Sequence, residues 1–169
     1  EKSGTIWIGT WGGGVNKLDK THMSFVRYKH IEGNSESLYS NNIYCICEGT
    51  NGEIFLNIEE GIEKFDPKTE KFCRISSTSE IINQIISDKE NHFWLSTQAS
   101  LGYYKYDGQK NLTRIYNISD APLAAWSMFK SHAGIIWVPT ERGLFSFNPN
   151  SQIGTQIELN INLGIKKIF

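Results

Sequence analysis

The chain has 169 residues, 39% of them hydrophobic, so it can bury a core. Its 17 Lys and Arg residues balance 18 Asp and Glu residues, which argues against a surface dedicated to nucleic acid or anionic membrane. No stretch approaches the roughly 18–20 apolar residues of a membrane span, and residues 1–20 lack a signal-peptide pattern. We therefore expect no direct membrane insertion by this chain.

The informative feature is an internal repeat of about 43 residues. Apolar runs centred on an aromatic residue occur at residues 5–10, 53–58, 92–97 and 135–140. Each is followed, six to eight residues after its aromatic, by a glycine, an alternating segment and a final Asp or Asn, at residues 14–19, 61–66, 102–107 and 143–148. The glycine permits a tight turn and the alternation predicts a strand, so each pair of runs forms a hairpin.

Two further strands complete each repeat. An apolar run precedes the aromatic at residues 43–47, 82–86 and 125–129, and a more polar run follows the hairpin at residues 25–29, 71–75 and 112–116. Four short strands in 40–50 residues, with inner strands apolar on both faces, are typical of a propeller blade. We predict an all-β fold, a β-propeller of about four four-stranded blades.

The predicted blades cover residues 1–38, 39–80, 81–123 and 124–162. Residues 163–169 match a first strand, which either belongs to a next blade or closes the ring by completing blade 1. We favour a piece of a larger array, of the seven-bladed type, because four blades is the lower limit for a ring. An open arc would expose two apolar blade faces, which predicts self-association as a dimer.

Residues 3–19 closely resemble the two-component regulator propeller repeat, as do residues 25–28 followed by 37–43. The resemblance extends over the whole chain and is strongest over residues 1–75. That family typically forms the periplasmic sensor of hybrid histidine kinases in gut Bacteroides, where glycan fragments are sensed. The resemblance thus implies a periplasmic, non-enzymatic sensing module that recognises oligosaccharides, with any kinase outside this chain.

Three sites depart from the repeat pattern. The repeat favours Gly or Gly-Thr at these places, where this chain has Asn57 with Ile58, Ser96 and Pro139. Pro139 lacks a backbone donor, so we expect blade 4 to be irregular at its inner end.

The repeated aromatics are predicted to pack between blades. Ligand contacts are expected instead in the loops after second strands and before first strands, which lie on one face around the central channel. Sugars combine apolar CH patches with hydroxyls and are bound by aromatic faces together with planar polar groups. The predicted ligand-binding residues are Trp11, Tyr39, Asn41, Gln98, Trp126 and Arg142. Tyr44, Asn83, Trp126 and Lys166 align at the starts of first strands, where they form either a ring at the channel mouth or a structural belt.

Other chemistry has little support. Gly12–Gly14 lacks the ending of a phosphate loop, and the four histidines show no metal spacing, so neither a metal nor a cofactor is predicted. Cys45 and Cys47 are interpreted as small buried hydrophobes rather than a metal or redox site. The alternative functions are a protein-interaction or dimerisation scaffold and, with less support, a propeller lyase or hydrolase that uses Glu59, Glu60 and Glu141.

Overall fold

The computed structural model describes residues 4–20, 22–59, 61–77, 81–98, 100–118, 127–140 and 143–157. In these segments the chain forms fifteen strands in four antiparallel sheets. Blade 1 contains β1 (Ile6–Thr10), β2 (Gly14–Asp19) and β3 (Ser24–Tyr28), which correspond to the second, third and fourth strands of the other blades. Blade 2 contains β4 (Ile43–Glu48), β5 (Ile54–Ile58), β6 (Gly61–Asp66) and β7 (Lys71–Ser77). Blade 3 contains β8 (Ile82–Ser87), β9 (His92–Thr97), β10 (Leu101–Tyr106) and β11 (Leu112–Ile118). Blade 4 contains β12 (Phe129–Lys130), β13 (Ile136–Thr140), β14 (Gly143–Asn148) and β15 (Ile153–Ile157).

Every sheet is a meander in which strands pair in chain order, which confirms the all-β prediction. An Asp or Asn at the end of each third strand, or directly after it, accepts a backbone N–H of the following turn through its side-chain oxygen. Asp66 accepts from Lys68 at 2.9 Å, and Asp107 accepts from Gln109 at 2.8 Å. These short polar side chains fix the turn that leads to the outermost strand.

No helix that could cross a membrane occurs in the part of the chain that is described.

Neighbouring blades pack face to face, and each interface is one hydrophobic cluster. The first joins blade 1 and the segment before β4 to blade 2, the second joins blades 2 and 3, and the third joins blades 3 and 4. All five residues of β5 are buried because blades cover both of its faces. Alternate residues of one strand thus belong to different interfaces.

In blades 1 to 3, an aromatic side chain of the second strand packs against an aromatic side chain on the third strand of the next blade. Trp7 of β1 lies 4.9 Å from Phe65 of β6, measured between ring centroids. The equivalent Phe55 lies 5.9 Å from Tyr106, and the equivalent Trp94 lies 5.4 Å from Phe147. The receiving rings all occupy the same position of the third strand. The prediction that these aromatics pack between blades is therefore confirmed for the first three repeats.

Two equivalent positions, Gly9 and Asn57, lie where a second strand meets the innermost strand of the next blade. At Gly9 an added Cβ would lie 2.6 Å from Cγ2 of Ile43, so the close approach requires glycine there. Asn57 holds the equivalent position in blade 2, and its side-chain amide donates to the carbonyl of Ile82 in blade 3. The larger residue is accommodated because it bonds to the neighbouring strand.

The first strand of blade 4 differs from its predicted bounds. Strand β12 contains only Phe129 and Lys130, and its ladder ends opposite Trp137, short of Pro139. The predicted strand over residues 125–129 is therefore wrong at residues 127 and 128. The backbone N–H of Met128 donates to Oε1 of Gln84 in blade 3 instead of joining the ladder. The predicted segments at 125–126 and 163–169 lie outside the described residues.

The ring contacts predict unequal costs for two equivalent tryptophans. Trp94 is buried in the interface between blades 3 and 4, whereas Trp137 is half-buried and points away from blade 3. Trp94→Ala should lower the free energy of unfolding of this chain by about 3–5 kcal/mol, as measured by urea denaturation. Trp137→Ala should lower the free energy of unfolding clearly less. Equal decreases for the two variants would show that the contact of Trp94 with the next blade does not stabilise the packing of the blades.

Candidate functional site

The turns after second strands and the linkers between blades lie at one end of the sheets, because successive strands of a meander run in opposite directions. We call this end the ligand face. It carries the predicted residues Trp11, Tyr39, Asn41 and Gln98. Trp126 and Arg142 lie outside the described residues.

An exposed aromatic pair stands on this face. Trp11, in the β1–β2 turn, is 72% exposed, and its ring meets that of Tyr44 edge to face with centroids 5.2 Å apart. Tyr44 is 40% exposed and occupies a β-bulge between Ile43 and Cys45 at the start of the innermost strand β4. We call this pair the aromatic platform. The equivalent Asn83 also occupies a bulge, between Ile82 and Gln84.

Linker 29–42, between β3 and β4, folds back on itself and is pinned by its own side chains. Asn41 accepts the backbone N–H of His30 through Oδ1 at 2.9 Å, and its carbonyl accepts from Gly14 at 2.9 Å. Nδ1 of His30 donates to the carbonyl of Leu38 at 2.7 Å. Asn41 therefore joins the linker to the turn that carries Trp11.

A cleft of about 460 Å³ lies between linker 29–42 and the outer strands of blade 2. We call it the linker cleft. Its walls are His30, Ile31, Gly33, Asn34, Ser35, Ser37, Leu38, Tyr39, Glu63 and Arg74. Of the predicted site residues, Tyr39 lines the cleft, whereas Trp11, Asn41 and Gln98 do not.

Glu63 and Arg74 are cross-strand neighbours on β6 and β7 in the wall of the cleft. Glu63 is only 2% exposed, and its two oxygens accept the backbone N–H of Tyr39 at 3.0 and 3.1 Å. The guanidinium of Arg74 lies 4.0 Å from the ring centroid of Tyr39. Desolvation raises the pKa of Glu63 to about 7, although the Tyr39 hydrogen bond and the charges of Arg74 and His30 favour the carboxylate.

Sequence reasoning missed Glu63 and Arg74, although comparison of the repeats contains a signal. The cross-strand pairs at the same position are Asn16–Arg27, Glu63–Arg74, Tyr104–Arg114 and Phe145–Gln156. Only blade 2 places an acidic residue at the first member of this pair. A charged side chain on a buried face where the other repeats are neutral indicates a specific local role.

The remaining candidates occupy more ordinary surroundings. Gln98 is exposed after β9, and Glu59 accepts the side-chain amide of Asn42 at 3.3 Å. Burial raises the pKa of Cys45 to about 12 and that of Cys47 to about 11, as expected for packing residues rather than reactive thiols. Within the described segments, no three His, Cys, Asp or Glu side chains are grouped to hold a metal ion. Glu60 and Glu141 lie outside those segments.

Comparison with solved structures identifies similar folds. The extracellular domain of BT3049 from B. thetaiotaomicron, described as a hybrid two-component system, is 21% identical over 89% of this chain and 21% of that one, with a TM-score of 0.72. The extracellular domain of BT4673 from the same organism, described as a one-component or a hybrid two-component system, is 20% or 18% identical over 98% of this chain and 23% of that one, with TM-scores of 0.71 and 0.72.

PorZ, a surface component of the type-IX secretion system of Porphyromonas gingivalis, is 15% identical over 87% of this chain and 23% of that one, with a TM-score of 0.65. These similarities show that the fold is of the propeller type, as predicted. This chain spans between a fifth and a quarter of the length of each of these proteins. No family model and no curated protein matches the sequence.

The buried carboxyl group predicts a pH-dependent stability. Between the ordinary carboxyl pKa of 4.5 and about 7, folded Glu63 keeps a proton that the unfolded chain has lost. The folded state then binds more protons, so the free energy of unfolding contributed by Glu63 falls as the pH rises through this window. Glu63→Gln should remove this component, and urea titrations at pH 5, 6, 7 and 8 measure it.

The matched control is Glu32→Gln, an exposed residue of the same linker, which should keep the wild-type slope. A Glu63→Gln variant with the same pH dependence as the wild type would contradict the assignment of a raised pKa to this group.

Proposed function

We propose that this chain is part of the ligand-recognition region of a bacterial two-component sensor, located in the periplasm and without catalytic activity. Two of the similar folds belong to extracellular domains of proteins described as such regulators. We further propose that the ligand is an oligosaccharide bound on the ligand face. The signalling output, including any histidine kinase, would then lie in other parts of the protein.

The aromatic platform is the observation that carries this proposal. Exposure of Trp11 next to Tyr44 is not explained by packing, because the repeated aromatics that stabilise the blades are separate residues. The CH faces of a pyranose ring pack on aromatic rings, and its hydroxyl groups require nearby polar partners. Tyr39, Asn41 and Gln98 lie on the same face, and we propose Trp126 and Arg142 as further contacts.

Calorimetry on the intact protein, with a panel of neutral and acidic oligosaccharides, tests the ligand class. For a binder, Trp11→Ala and Tyr44→Ala should each weaken affinity about tenfold, which corresponds to about 1.4 kcal/mol. Ile153→Ala is the control, since it removes an exposed apolar side chain from the outermost strand of blade 4. Absence of binding across the panel would refute the proposal that the ligand is an oligosaccharide. Unchanged affinity in both variants would refute the proposal that the aromatic platform contacts it.

The second candidate is a dimerisation scaffold, and the open face of blade 1 favours it. Ile6, Ile8 and Phe25 are exposed on the side of blade 1 that points away from blade 2. Each interior blade covers such a face with its neighbour. Exposed apolar surface of this kind promotes association.

Sedimentation of the chain over a wide concentration range tests this candidate. We expect self-association that is abolished by the double substitution Ile8→Asp with Phe25→Asp and retained by Ile153→Asp. A strict monomer at all concentrations would eliminate the scaffold role for this face.

A further inference from the structure

We infer that the linker cleft is a second subsite of the ligand face and holds one neutral, polyhydroxylated sugar residue between Glu63 and Arg74. This inference rests on the proposed function and specifies where an oligosaccharide extends beyond the aromatic platform. Three features of the cleft support it: its size, its pairing of acceptor and donor groups, and its rigid construction.

The size fits a small ligand. Sites for small molecules range from about 300 to 1,000 Å³, and the linker cleft has about 460 Å³. Its lining combines exposed apolar surface from Ile31 and Tyr39 with hydroxyl groups from Ser35 and Ser37. A mixed surface of this kind matches a sugar, which presents both CH groups and hydroxyls.

The polar chemistry selects for hydroxyl groups. A carboxylate only accepts hydrogen bonds and a guanidinium only donates them, whereas a hydroxyl does both. Adjacent hydroxyls of a sugar can therefore donate to the ionised form of Glu63 and accept from Arg74. When Glu63 is ionised, a ligand with a net charge would be attracted by one member of this cross-strand pair and repelled by the other, whereas a neutral ligand would not be repelled.

In the described residues of blades 1 and 3, the equivalent arginine faces a neutral partner. In blade 1, Nε of Arg27 donates to Oδ1 of Asn16 at 3.2 Å, and in blade 3, Nε of Arg114 donates to the hydroxyl of Tyr104 at 2.8 Å. Blade 2 combines the acidic residue with linker 29–42, which forms one wall of the cleft.

The cleft is also preformed. Lys71 and Glu36 form an ion pair at 2.7 Å, and the carbonyl of Glu36 accepts the backbone N–H of Phe72 at 3.0 Å. These bonds hold the linker against β7, while Glu63 holds it through the backbone of Tyr39. A site that is already ordered loses little conformational entropy when a ligand binds.

Calorimetry and hydrogen–deuterium exchange on the intact protein test the subsite, with neutral tri- to hexasaccharides as probes. For a neutral oligosaccharide that binds, Glu63→Gln and Arg74→Met should each weaken affinity at least about tenfold, since each removes the charged partner of a hydrogen bond. The bound sugar should protect the amides of residues 30–39. Arg27→Met and Arg114→Met are matched controls, because both remove an arginine from the same position of another repeat.

The outcomes separate this inference from the proposed function. If binding needs Trp11 but tolerates Glu63→Gln and Arg74→Met, with protection confined to residues 10–14 and 43–46, the subsite is wrong and the sensor proposal stands. Binding only of acidic sugars, with dependence on Arg74, would overturn the neutral ligand class. If no oligosaccharide binds, both proposals fail. Melting temperatures of the variants that stay well above the assay temperature exclude unfolding as the cause of any loss.

Discussion

The passage of an aromatic ring from each blade into the next is the contact on which this structure depends. A lone blade has two apolar faces and no core of its own, so its strands are stable only between neighbours. Trp7, Phe55 and Trp94 supply the ring for the following blade. Leu18 occupies the receiving position in blade 1 and Trp137 the donating position in blade 4. Both of these end positions carry apolar side chains that are only half-buried.

The turns and linkers can differ in sequence between blades because the strands form most of each blade interface. The strands carry the packing, and the meander topology brings every second-strand turn and every linker to the same end of the blades. Trp11 and the linker cleft share a face for this reason, although they belong to different repeats. Asn41 couples the two places, because it bonds both to Gly14 in the Trp11 turn and to His30 in the linker.

The sequence was sufficient to predict the period, the hairpins and the role of the repeated aromatics, because these depend on alternation and on Gly and Asp at turns. It did not predict the contact of Glu63 with Tyr39, which requires the β-bulge between Ile62 and Glu63 and the path of linker 29–42. The bounds of β12 also depended on a long-range contact, since Gln84 takes the N–H of Met128. Local pattern determines strands, whereas side chains that reach another blade are decided by the tertiary structure.

Burial of Glu63 is difficult to explain by stability alone. A buried carboxyl group is rarely better for folding than a neutral residue, and the other repeats place Asn, Tyr or Phe at this position. Its raised pKa shows that Tyr39, Arg74 and His30 compensate for desolvation only in part. A hydroxyl donated by a ligand would complete the solvation of the carboxylate and favour its ionised form. Because the same carboxylate anchors the backbone of Tyr39, such binding would act directly on the connection between blades 1 and 2.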